Sequence, residues 1–142
     1  MPTVKFQDLW DSHPYPVQPC DGKLFKNQCA IRMSVALRGA GVNLDSFRGA
    51  KCYPGLKHSP RHILRAEELA KWMKDQTLVF GTHSVHRKAN ASDFADKSGI
   101  VFIKDGWESG GDHIDVWNGR ILKGGENTWF TLGKQVWFWE IS

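Results

Sequence analysis

The spacing of apolar residues changes period once along the chain, and this change constrains the fold more than any other sequence feature. Up to about Gln76 the spacing is helical. Phe6, Leu9 and Trp10 share one face of a short N-terminal helix. Cys29, Met33, Ala36, Leu37 and Ala40 make a second stripe, with Asn27 as its cap and Gly39 and Gly41 at its far end. Ile63, Ala66, Leu69, Ala70 and Met73 make a third, for a helix that starts at Ser59 with Pro60 in its first position. Pro14 and Pro16 predict extended chain between the first two, Asp21-Gly22 a turn, and Val42 to Lys57 a loop.

Beyond Gln76 the period is two. Leu78 to Phe80, Ile100 to Ile103, His113 to Trp117 and Val136 to Ile141 read as strands. Helices first and antiparallel strands after make an α+β fold. Within the third strand, His113, Asp115 and Trp117 share one face and Ile114 and Val116 the other. Asn118-Gly119 signals a hairpin turn whose register opposes Val116 to Ile121, Ile114 to Lys123 and His113 to Gly124. With 142 residues, 41% of them hydrophobic, and with no repeat or low-complexity linker, residues 1–142 are expected to form a single domain.

Charge narrows the partners only slightly. A net +4 suits an anionic partner, nucleic acid or cell wall, without choosing between them. No stretch nears the ~20 apolar residues of a membrane span, so no membrane partner is expected. The N-terminal residues carry no apolar signal segment, so the chain is expected to be made in the cytoplasm without a signal peptide.

Two residues can carry covalent chemistry. The first turn of a helix has unpaired N–H groups and the positive end of the dipole, both of which favour a thiolate, and Cys29 has that place. The base it needs is on the later sheet, at His113, which is the papain-like layout. On spacing alone, a small core cysteine and a half-buried histidine explain the same residues. His83 and His86 form a His-x-x-His pair that Cys52, His58 or His62 would have to complete as a zinc site. No second pair has metal spacing, and neither metal nor other cofactor is expected.

The segment from Asn27 to Leu37, Asn-Gln-Cys-Ala-Ile-Arg-Met-Ser-Val-Ala-Leu, resembles the nucleophile helix of the type VI secretion amidase effectors of family four. Residues 111–119, Gly-Asp-His-Ile-Asp-Val-Trp-Asn-Gly, are similar to that family's histidine strand, and Gly99 to Ile103 and the Trp-rich ending from Val136 also fit. The resemblance implies a papain-like cysteine peptidase injected into the periplasm of rival bacteria. It would cut the amide between D-glutamate and meso-diaminopimelate in the peptidoglycan stem. It implies the secretion machinery and a cognate immunity protein as partners, and no nucleic acid. Carried over by position, Cys29 is the nucleophile and His113 the general base. The Cys29 N–H contributes to the oxyanion hole, and Gln28 and Arg32 hold the oxyanion or substrate carboxylates.

The third catalytic residue is where this chain departs from the resemblance. The family has an Asp near the position opposite His113, whereas this chain has Gly124, followed by Gly125, Glu126 and Asn127. Two glycines permit a bulge that brings Glu126 or Asn127 to the imidazole, and Glu126 is the residue expected there. Asp115, on the same strand as His113, is expected to reach it poorly; a backbone carbonyl is a further alternative. Among the tryptophans most are expected in the core, with Trp117 flooring the substrate cleft beside His113. Cys20 and Cys52, if paired in an oxidising periplasm, would leave Cys29 free; two unpaired thiols are the alternative. Two other functions compete with the amidase: a small basic nuclease using His113 and Glu126 as acid and base, and a non-catalytic wall-binding module using a Trp-rich face.

Overall fold

A computed structural model of the chain describes residues 3–19, 28–52, 62–106 and 111–142. Cys20 and its possible pairing, Asp21-Gly22, the caps Asn27 and Ser59-Pro60, His58 and Trp107 lie outside the described residues. Among the described residues four α-helices, α1 (Phe6–Ser12), α2 (Cys29–Gly39), α3 (Ala66–Asp75) and α4 (Thr77–Phe80), precede four strands. The strands are β1 (Ser84–His86), β2 (Gly99–Lys104), β3 (His113–Trp117) and β4 (Gln135–Glu140). They form one sheet in the order β1-β4-β2-β3, and every pairing is antiparallel. The α+β layout is the one the change of period dictates.

Alternation along the central strands divides the core in two. Ile100, Phe102, Ile114, Val116, Trp137 and Trp139 face the helices and join Leu9, Met33, Leu37, Leu69 and Met73. Val101, Ile103, Trp117, Val136 and Phe138 face the opposite way and pack on Phe94 and Phe130. α2 runs nearly encased, with Ile31 and Ser34 buried besides the expected stripe. Its one buried hydroxyl is satisfied: Ser34 donates to the Ile31 carbonyl at 2.7 Å and accepts the Ile63 N–H at 3.3 Å.

Three expected elements differ. The third helix begins at Ala66 rather than Ser59, because residues 62–64 run extended: Ile63 bridges Lys51, and the Cys52 N–H donates to the His62 carbonyl at 2.9 Å. Leu78 to Phe80 make the helical turn α4, not a strand. Only Phe80 is buried there, and Leu78 is 82% exposed, so no sheet face claims all three. β1 carries no alternating apolar signal, being short, largely exposed and polar at Ser84 and His86, and it joins the sheet through its ladder to β4. Among the described residues no helix is long and apolar enough to cross a membrane.

β3 is an edge strand of the sheet, and α2 packs against it. This contact brings the first residue of α2 to the first residue of β3.

Candidate active site

Cys29 opens α2 and is 6% exposed, with its sulfur 3.8 Å from the Asp112 carbonyl oxygen. The N-terminal end of the helix favours negative charge on that sulfur. His113 opens β3 and is hydrogen-bonded to the Cys29 side chain. Its Nε2 lies 2.8 Å from Asp115 Oδ2, which leaves Nδ1 as the ring nitrogen for the thiol. Sequence spacing alone did not bring Cys29 and His113 together; the packing of α2 on β3 does.

The residue that grips the imidazole is Asp115, not Glu126. Glu126 is exposed and precedes the 3-10 helix Asn127–Thr131, and the Asn127 amide donates to the Arg120 carbonyl at 2.7 Å. Asp115 reaches back because other donors hold its carboxylate. The Gly124 N–H donates to both oxygens, at 3.1 and 2.9 Å, and the Val116 N–H donates to Oδ1 at 2.8 Å. The glycine pair opens the necessary space. A Cβ at Gly124 would stand 3.3 Å from His13 Cε1 and 3.4 Å from Asp115 Oδ2; one at Gly125 would stand 2.7 Å from the Trp129 ring and 3.0 Å from His113 Nε2. The return from the Asn118-Gly119 turn is also two residues out of the expected register. Trp117 bridges Leu122, and no second strand forms.

A second imidazole lies behind Asp115. His13, at the end of α1, is 3% exposed; its Nδ1 accepts the Tyr15 N–H at 3.3 Å, and its Nε2 faces Asp115 Oδ1 at 3.5 Å. The two histidines titrate in opposite directions. For His13, burial dominates and pushes its pKa from 6.5 down to about 4, with Asp115 opposing and Lys123, Arg32 and His113 assisting. For His113, burial also pulls downward, but the hydrogen bonds to Asp115 and Cys29 outweigh it and raise the pKa to about 9. The raised pKa favours the imidazolium form of His113.

The site opens into a cleft of about 200 Å³ lined by Gln18, Gln28, Cys29, Arg32, His113, Gly124 and Trp129. Gln28 and Arg32 stand where expected, beside the nucleophile. Arg32 is partly committed: its Nε donates to the Val17 carbonyl at 3.0 Å, and its guanidinium lies 4.9 Å from the Tyr15 ring centroid. Trp117 is not in the cleft. It is 1% exposed in the second core, where its Nε1 donates to the Phe94 carbonyl at 2.9 Å. The aromatic wall is Trp129 instead, edge-on to His113 at 4.8 Å and 87°. β3 is buried on both faces, so facing the same way as His113 did not place Trp117 at the surface. Sequence reasoning missed His13 and Trp129 as site residues, and passed over Asp115. The Gly124-Gly125 pair was the available signal for Asp115, and nothing in the local sequence marks His13.

The other constellations disperse. His83 stacks on Trp139 and lies against Trp137, and His86 sits edge-on to Phe94. Among the described residues no His, Cys, Asp and Glu group has the geometry of a metal site. The nuclease reading required Glu126 beside His113, where Asp115 stands. The wall-binding reading required an open Trp face, and Trp117 and Trp139 are buried.

Residues 25–139 match the model of the family described as type VI secretion system amidase effector protein 4 (Tae4). The chain belongs to the Tae4 family. It is thereby an amidase effector of type VI secretion, acting on peptidoglycan. The Tae4 structure from Enterobacter cloacae is 23% identical, covers all of both chains and superposes with a TM-score of 0.76. Tae4 from Salmonella Typhimurium, solved in an effector–immunity complex with Tai4, is 20% identical over 98% of this chain and 99% of that one, with a TM-score of 0.76. A further Enterobacter cloacae Tae4–Tai4 complex is 24% identical with a TM-score of 0.74 over the same shares. No curated protein matches the chain.

Proposed function

We infer that this Tae4-family chain hydrolyses the amide between D-glutamate and meso-diaminopimelate in peptidoglycan stem peptides, with Cys29 as nucleophile, His113 as general acid and base, and Asp115 as orienter. The single observation that carries the reading is the continuous contact from Cys29 through His113 to Asp115 at the mouth of an open cleft. The Cys29 thiolate attacks the amide carbonyl carbon, forming a C–S bond and an oxyanion that the Cys29 N–H at the helix start stabilises. The His113 imidazolium gives its proton to the leaving amine nitrogen as the C–N bond breaks. Water then enters; His113 takes its proton, the hydroxide displaces sulfur, and the free acid and the Cys29 thiolate separate.

Gln28 and Arg32 line the approach to the sulfur and suit the oxyanion and the carboxylates of the stem. The periplasm of the target cell is the compartment where this substrate is met, and an immunity protein of the Tai4 kind is the expected antagonist. The test is digestion of diaminopimelate-type peptidoglycan followed by separation of the muropeptides. Wild-type protein should release new stem fragments, and Cys29→Ala should lose at least about 10³-fold in rate. Absence of new products, or undiminished cleavage by Cys29→Ala, would overturn the reading.

A further inference from the structure

We propose that His13 is a positioning residue of this site: its Nε2–H, aimed at Asp115 Oδ1, holds the carboxylate in the orientation that grips His113. The inference rests on the catalytic reading above and extends it to a segment outside the family match, since His13 precedes residue 25.

Asp115 has to reach His113 along its own strand, against the outward direction of a strand side chain, so its orientation must be imposed from outside. Gly124 and Val116 supply N–H groups from two sides. His13 faces the carboxylate from a third side. Its Nδ1 accepts the Tyr15 N–H, so in the neutral ring the proton is on Nε2, the atom that faces Asp115 Oδ1 at 3.5 Å. That Nε2 is fully buried and has no hydrogen-bond partner in the described structure. An apolar side chain would fill the same volume without burying an unpaired donor, so packing does not account for a histidine here. The direction of the N–H, toward the carboxylate that His113 needs, does. The groups facing His13 are Asp115 and His113 of β3, Lys123 and Arg32 of α2, and the net effect of burial and the cations keeps it neutral, a donor rather than a competing cation. The segment that carries it is anchored to α2 by Arg32, which donates to the Val17 and Pro16 carbonyls.

The experiment reads the Cys29–His113 pair directly, without peptidoglycan. Alkylation of Cys29 by iodoacetamide is followed by mass spectrometry of the Cys29 peptide across pH. The acid limb of the wild-type profile is the reference for the variants. In His13→Leu a weakened Asp115 no longer supports the imidazolium, so the limb should rise by about half a pH unit or more, and turnover of peptidoglycan should fall about tenfold with KM within about twofold. His13→Gln, which places an amide N–H near the position of Nε2, should return both to near wild type. A folded His13→Leu protein with an unmoved limb would overturn the proposal, as would a Gln variant no better than Leu, which would mean packing alone. Should Leu disrupt folding, His13→Asn carries the test: it keeps an acceptor for the Tyr15 N–H but falls short of Asp115, and an unmoved limb there also overturns it. Undiminished peptidoglycan cleavage by Cys29→Ala would instead bring down the Cys29–His113 reading itself.

Discussion

Asp115 illustrates how neighbours rather than sequence position decide what a side chain does. Its two oxygens accept from Gly124, Val116 and His113, and each contact draws the carboxylate away from the outward direction its strand would give it. Because the bond to His113 helps raise that histidine to about 9, removing the charge has a defined sign. Asp115→Asn keeps the shape but loses the support for the imidazolium. The His113 pKa should fall, and kcat should drop by about 10²–10⁴ while the protein stays folded. Titration of the imidazole by NMR together with muropeptide release checks both; a His113 titration that stays near 9 would show that Asp115 is not its support. Cys29 and His113 were legible as candidates because the segments around them resemble a family's nucleophile helix and histidine strand, whereas residue type alone fits a core cysteine and a half-buried histidine as well. Asp115 was not legible as the partner of His113, since the space that admits it is made by the missing side chains of Gly124 and Gly125, nine and ten residues away.

At the scale of elements the sheet is held by close approach as much as by apolar pairing. β2 lies between β4 and β3, and Gly99 begins it against Trp139, whose carbonyl oxygen would sit 1.9 Å from any Cβ at that position. Gly99→Ala must push β2 and β4 apart locally. The expected loss is about 2–4 kcal/mol in urea unfolding, with Cys29 alkylation in the folded fraction unaltered. A loss under about 0.5 kcal/mol would mean the strand end yields freely. The strands β2, β3 and β4 and the helix from Cys29 were legible because one buried face imposes one period. α4 and β1 were not, since four and three residues are too few to show a period and their backbone partners decide their shape.

Across the whole molecule, the two histidines that share Asp115 give stability a pH dependence with a maximum between them. The His113 pKa, about 9, lies above its ordinary 6.5, so its contribution is full below pH 6.5 and is lost as pH rises through 9. The His13 pKa, about 4, lies below its ordinary 6.5, so the unfolded chain takes up a proton that the folded one refuses, and stability falls as pH drops from 6.5 toward 4. Tm should therefore peak near pH 6.5, with each flank worth on the order of 1–3 kcal/mol. Scanning calorimetry from pH 4 to 9 checks this. His113→Ala should flatten the alkaline flank, and His13→Gln the acid flank; a wild-type Tm that climbs steadily to pH 9 would contradict the assignment.

The sequence by itself determined the class of fold and pointed to the two residues proposed to react. The 3.6 and 2 periods are local properties of a chain with one buried face, and the resemblance around Cys29 and His113 lies in two short stretches of sequence. Only the tertiary structure decided which carboxylate meets the imidazole, which tryptophan lines the cleft and that His13 stands behind the site. Those depend on which side chain enters a space that others leave empty, and such a space exists only once α1, α2 and β3 have packed together.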